Sequence, residues 1–245
     1  MMKQGTIRQI LLLTDGCSNN GEDPSAMAVL AREQGITVNV IGIIDEDASN
    51  QRGLHEIDQI ALSGGGISQT VYATQLSHTV QMVTRQAMTQ TLQGVVNEQL
   101  KKILHKETDL EALPPDTRGE VMEVVDELGE TANLEVLILV DTSASMASKL
   151  PTVKEALLDL SLSLNARMGS NLFSLSIFPG KRKETEQLID WTPTLESLPA
   201  VFSKLSPGGL TPTGPAIREA ISKFKGKRHK KGWLPTDDEY IEKSV

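Results

Sequence analysis

Leu134-Glu135-Val136-Leu137-Ile138-Leu139-Val140-Asp141-Thr142-Ser143-Ala144-Ser145 is the stretch on which the fold turns. Apart from Glu135, residues 134 to 140 are aliphatic, and a run of that length reads as a strand buried on both faces. Parallel strands are buried in this way when crossover helices cover each side of a sheet. The run stops at a carboxylate followed by two hydroxyls, Asp141, Ser143 and Ser145. Those oxygens are therefore delivered at the carboxyl end of a strand, where open α/β sheets bind their ligands.

Outward from this stretch, apolar runs alternate with helical patterns. Before it, Ile7 to Leu13 and Ile36 to Ile44 read as strands, and Thr70 to Tyr72 as a short one. A helix opening at Pro24 and Ser25 and stopping at Gly35 separates the first two. Another, Leu54 to Leu62, turns Ile57, Ile60 and Ala61 to one side and ends at a Gly64–Gly66 loop. Leu76 to Leu104 has the apolar recurrence of a long amphipathic helix. After the central stretch come a helix from Leu150 to Leu164 with Pro151 in its first turn, and a strand from Asn171 to Phe178 with Leu172, Leu175 and Ile177 as inward candidates. An edge strand is expected at Gln187 to Trp191, with helices at Leu195 to Leu205 and Ala216 to Phe224. Between the halves, residues 105–133 are carboxylate-rich, carry Pro114 and Pro115, and hold one helix with Val121, Val124, Val125 and Leu128 on a stripe. The fold class is α/β, a Rossmann-like, doubly wound, mostly parallel sheet flanked by helices.

Composition narrows the function classes. Of 245 residues, 39% are hydrophobic and 23% charged, which gives enough apolar material for a packed core and excludes disorder throughout. The longest apolar runs fall far short of the ~18 residues that a membrane span needs, and no signal peptide is read at the N-terminus. A net charge of −8 argues against a general nucleic-acid binder. The single Cys17 allows no internal disulfide, which fits a cytoplasmic protein.

The Asp141, Ser143 and Ser145 oxygens suit a hard divalent cation, and Mg²⁺ in such a half-open loop keeps some of its waters. Two further pieces carry the same chemistry. Gly208-Gly209-Leu210-Thr211-Pro212-Thr213-Gly214 precedes a helix, and Thr14-Asp15-Gly16 closes the first strand. Asp-x-Ser-x-Ser, a Gly-rich Thr loop and Thr-Asp-Gly together resemble the metal-ion-dependent adhesion site of the von Willebrand factor A domain family. That resemblance implies a metal site of Asp141, Ser143, Ser145, Thr211 and Asp15, with Thr213 as Thr211's neighbour. It also implies Mg²⁺ or Mn²⁺ as the ion, and a partner protein's Asp or Glu carboxylate in the remaining position.

The order of these pieces is rotated: the family runs Asp-x-Ser-x-Ser, Thr, Thr-Asp-Gly, whereas Thr-Asp-Gly comes first here. The resemblance thus implies a circularly permuted domain. Residues 7–104 would be the family's second half, 105–133 the new joint, 134–225 its first half, and 226–245 a flexible tail, basic and then acidic. At up to ~3.3 Å per residue the joint is long enough to bridge a sheet. Each half could instead pair with the opposite half of a second molecule in a swapped homodimer, or the chain could be a piece of a longer array. The chain also resembles A-domain proteins of endospore-forming bacilli, in keeping with a regulatory protein of the cytoplasm.

The function expected is non-enzymatic: a divalent-cation-dependent protein-binding module in which a partner carboxylate completes the metal shell. The resemblance also implies an adaptor role, with an AAA-type ATPase or a signalling protein as partner. The rival is a metal-dependent phosphohydrolase. It lacks a second carboxylate two residues after Asp141, and no G-x-S-x-G, Walker A or G-x-G-x-x-G motif occurs. His55, His78, His105 and His229 are dispersed without metal-ligand spacing. Cys17, at the rim of the proposed site, reads as a small residue filling a turn. The basic side chains Arg218, Lys223, Lys225, Lys227, Arg228, Lys230 and Lys231 lack aromatic stacking partners, and read as a solvated tail rather than a nucleic-acid site.

Overall fold

The computed structural model describes residues 5–16, 18–44, 51–104, 110 and 113–231. The apolar runs become strands β1 (Thr6–Thr14), β2 (Thr37–Ile44), β3 (Gly65–Tyr72), β4 (Asn133–Asp141), β5 (Asn171–Phe178) and β6 (Glu186–Thr192). They form one six-stranded sheet in the order β3-β2-β1-β4-β5-β6. Every pairing is parallel except β5 with β6 at the edge. The sheet is mixed only there, as expected for a doubly wound α/β architecture.

Strand periodicity divides the core in two. Leu11, Leu13, Val136, Ile138 and Val140 face one side, under α3 (Leu76–Leu104), α4 (Pro115–Thr131) and α5 (Leu150–Asn165). Ile10, Leu12, Leu137 and Leu139 face the other, under α1 (Pro24–Glu33), α2 (Gln51–Ser63) and α7 (Thr213–Lys231). Successive side chains of a strand point to opposite faces, so a continuous apolar run is what two covered faces demand. Local chemistry sets the helix ends. Asp23 caps α1 by accepting from the Ser25 N–H at 2.9 Å, ahead of Pro24 in the first turn. Gly35 follows that helix with φ +69°, a conformation glycine adopts without a Cβ penalty.

The central register places the two Asp-bearing strands side by side: Thr6 pairs with Asn133 and Leu13 with Val140. β1 leads out to α1 and β2 on one side, and β4 to α5 and β5 on the other. The strand order therefore reverses between β1 and β4, the position where α/β sheets open a crevice. The chain reaches β4 through α4, which packs along α3. Arg167, buried, fastens that entry by donating Nε to the Gly129 carbonyl at 2.9 Å, Nη2 to the Ala132 carbonyl at 2.8 Å and Nη1 to Asn171 Oδ1 at 2.7 Å. The bonds to Gly129 and Ala132 thus satisfy carbonyls that the end of a helix leaves without partners, and the bond to Asn171 ties that end to β5.

Several expectations need correction. The Gly64–Gly66 segment is not simply a loop: β3 begins at Gly65 and is longer than Thr70 to Tyr72. Glycine is required there because a Cβ on Gly66 would lie 2.2 Å from the Val38 carbonyl oxygen, where the β2–β3 register shifts. The helix expected over Leu195 to Leu205 shrinks to α6 (Leu198–Phe202). On β5 it is Phe173, with Leu175 and Ile177, that is buried, while Leu172 is only half-buried. On α4 the stripe is narrower than expected: Val125 is buried, whereas Val124 and Leu128 are exposed. α7 continues through Lys231, so the stretch from 226 is helical to that point, and 232–245 lie outside the described residues. Among the described residues no helix is long and apolar enough to cross a membrane.

Candidate metal centre

Asp141 is the last residue of β4 and Asp15 follows the last residue of β1, so parallel pairing brings both to the same end of the sheet. Asp141 is fully buried. Its Oδ1 accepts the Ser143 N–H at 2.8 Å, and its Oδ2 accepts the Thr14 hydroxyl at 2.8 Å. Burial pushes its carboxyl above the ordinary aspartate range. The Ser143 and Thr14 donors pull it back down, and the neighbouring Asp15 charge adds to the rise.

From Asp141 the polar contacts run outward. Ser143 Oγ lies 3.2 Å from Ser145 Oγ, and the Ser145 hydroxyl donates to Asp15 Oδ1 at 2.9 Å. Lys149 Nζ donates to Asp15 Oδ2 at 2.6 Å. Ser143 is buried while Ser145 is exposed, so the chain of oxygens starts in the core and ends at solvent. A short 3₁₀ turn, Ala144–Met146, sets this spacing, and the fully buried Met146 anchors it. Thr142 ties the loop to β5, with its N–H donating to the Phe178 carbonyl at 2.7 Å.

Of the five residues singled out in the sequence, Asp141, Ser143, Ser145 and Asp15 are joined in this one hydrogen-bonded chain. Thr211 reaches the same end of the sheet by another route. Its N–H donates to Asn19 Oδ1 at 2.8 Å, and its carbonyl accepts the Asn19 N–H at 3.2 Å and the Ser18 hydroxyl at 3.3 Å. The Thr211 loop is thus clamped to the segment following Asp15 through its backbone, and it also meets the Asp141 loop, where the Gly208 N–H donates to the Thr142 carbonyl at 2.8 Å. Gly209, with φ +89°, makes the turn that brings the loop round. Thr213, two residues on and the first residue of α7, keeps its buried hydroxyl without a hydrogen-bond partner among the described residues.

Sequence reasoning missed three residues here. Thr14, quoted only as part of Thr-Asp-Gly, is the hydroxyl donor to Asp141. Asn19 clamps the Thr loop. Lys149, four residues after Ser145, sits one helical turn away and returns to the site as a cation, a signal the spacing could have offered. Among the described residues no three His, Cys, Asp or Glu side chains gather as a metal cluster. The cluster at this end of the sheet instead holds two carboxylates, neutral hydroxyls and the Lys149 ammonium. Cys17 and His105 lie outside the described residues.

Comparison with known proteins agrees with this architecture. Residues 2–86 match the von Willebrand factor type A domain. Over 237 residues the chain is 63% identical to the protein YabS of Bacillus subtilis (strain 168), covering 97% of each, and it belongs to that protein's family. A crystal structure of a protein from Alicyclobacillus acidocaldarius subsp. acidocaldarius DSM 446 superposes with a TM-score of 0.85 at 42% identity, covering 92% of this chain and 97% of that one.

Proposed function

We propose that this protein is a divalent-cation-dependent protein-binding module whose metal shell is completed by a carboxylate of its partner, and that it works as an adaptor rather than as an enzyme. The observation that carries the reading is the hydrogen-bonded chain Asp141, Ser143, Ser145, Asp15, assembled from the ends of two neighbouring strands. Oxygen donors of this kind fit Mg²⁺ or Mn²⁺. Ser143, Ser145 and Thr211 would hold the ion directly or through water, and Asp141 and Asp15 would supply negative charge. A bound ion would act as a Lewis acid toward an incoming carboxylate. The chain's own residues do the rest. Thr14 and the Ser143 N–H fix Asp141, and the exposed Ser145 marks the side from which a ligand approaches.

The rotated motif order is read as circular permutation. With β1 beside β4 in one sheet, the Thr-Asp-Gly strand lies next to the Asp-x-Ser-x-Ser strand although it comes first in the chain. The joint would be residues 105–133, which carry α4, between a second half at 7–104 and a first half at 134–225.

Calorimetric titration with Mn²⁺ tests the reading. Wild type is expected to bind one ion per chain and Asp141→Ala to lose binding by at least about a hundredfold, while both melt cooperatively. Equal binding by the two proteins would overturn it, as would Mg²⁺- or Mn²⁺-dependent release of phosphate from a generic phosphomonoester that Asp141→Ala abolishes.

A further inference from the structure

The centre contains a charge that the motif does not account for. Lys149 stands at the entrance to α5, and its side chain and that of Asp15 are each only 5% exposed, with Nζ and Oδ2 2.6 Å apart. The ammonium also donates to the Ser145 carbonyl at 3.4 Å, so it lies against the loop that carries the two serine hydroxyls. An ion pair this short and this shielded is screened far less than a surface pair. Asp15 meanwhile accepts from Ser145 on its other oxygen, which leaves the two carboxylate oxygens divided between a site hydroxyl and a cation.

Among the described residues, the charges joined in this chain of contacts are two carboxylates and one ammonium, a net of one negative. A divalent ion entering such a site leaves it one charge positive, and one carboxylate from outside makes it neutral. Without the ammonium, the two aspartates alone would neutralise the ion and no anion would be called for. We infer that Lys149 is a fixed internal counter-cation that weakens the site for the bare ion and makes it select an anionic ligand, so that metal and ligand carboxylate bind cooperatively. The inference rests on the metal-site reading above and deepens it. Lys149 acts through electrostatics on the ion and on the anion and is not itself a metal ligand.

The experiment is Mn²⁺ titration at constant ionic strength on wild type, Lys149→Met, Lys149→Gln and Lys149→Arg, each with and without excess acetate as the carboxylate probe, with a thermal melt of every variant. Lys149→Met is expected to bind Mn²⁺ at least about tenfold more tightly than wild type in the absence of acetate, because a unit positive charge has been removed from beside a divalent one. Acetate should then raise the affinity of wild type severalfold and that of Lys149→Met little. Lys149→Arg, which keeps the charge, should stay within about threefold of wild type. Lys149→Gln stands in for Lys149→Met should the apolar side chain unfold the protein. Unchanged or weaker Mn²⁺ binding by the neutral variants overturns the inference, because a lysine that merely positions Asp15 would give that result. If neither wild type nor the neutral variants bind Mn²⁺, the metal-site reading falls and takes the inference with it.

Discussion

Asp141 and Asp15 close adjacent parallel strands at one end of the sheet, yet the two carboxylates live in different chemistry. Asp141 is fully buried and, among the described residues, is held by neutral donors, the Ser143 N–H and hydroxyl and the Thr14 hydroxyl. Asp15 faces a full positive charge, Lys149, on one oxygen and the Ser145 hydroxyl on the other. Hydrogen bonds from neutral groups fix a carboxylate without cancelling its charge, whereas an ammonium cancels it. The difference teaches that the β4 side of the site provides negative charge while the β1 side provides a carboxylate already compensated. A cation site built this way keeps one aspartate's worth of attraction and leaves room for an anion.

The largest break in this comparison is expected from Thr14→Val, which keeps the shape of the side chain and removes the donor to Asp141. A hydrogen bond to a charged or buried carboxyl contributes about 1.5–3 kcal/mol. Urea denaturation of the metal-free protein should show a loss in that range, and a loss under about 0.5 kcal/mol would mean that the Thr14 contact does not hold Asp141. A smaller effect is expected on the β1 side. Glu56, on α2, accepts the Ser18 N–H at 2.7 Å and so steadies the segment that clamps Thr211. Burial raises its carboxyl above the ordinary glutamate range, opposed by the Ser18 N–H and assisted by the Asp23 charge. The folded protein therefore favours the protonated form. The stability this contributes is full below the ordinary value near 4.3 and is lost as pH rises through the raised one. Glu56→Gln stays neutral and keeps an acceptor for Ser18. Its melting temperature should fall less than that of wild type between about pH 4 and 7, by roughly one or two degrees. Parallel melting curves across that window would contradict the assignment.

Much of this was legible in the residues. The apolar runs at β1, β2, β4 and β5 announce strands covered on both faces, and their carboxyl ends carry the two aspartates. β3 was harder because Gly64, Gly65 and Gly66 signal a break, and only the bulge against Val38 shows why a strand needs small residues there. α6 was overextended because Leu195, Leu198, Val201, Phe202 and Leu205 have helical spacing, while the helix itself stops at Phe202. At the site, the oxygen donors stand in local motifs, and Lys149 stands four residues after Ser145, but what Thr14, Asn19 and Lys149 bond to does not show in the sequence. Their roles depend on side chains crossing between segments as much as 192 residues apart, such as Thr211 and Asn19. Local patterns do not encode such crossings.

In the proposed function, one metal site is shared between strands β1 and β4, which come from opposite halves of the chain. Its most direct test is a Mn²⁺ titration of Asp15→Ala beside wild type, with light scattering to give the mass of each. Wild type should bind one ion per chain and Asp15→Ala should lose at least about tenfold in affinity, the scale expected when a supporting carboxylate of a metal site is removed. Unchanged Mn²⁺ affinity in Asp15→Ala would contradict it and leave the β4 loop as a half-site on its own.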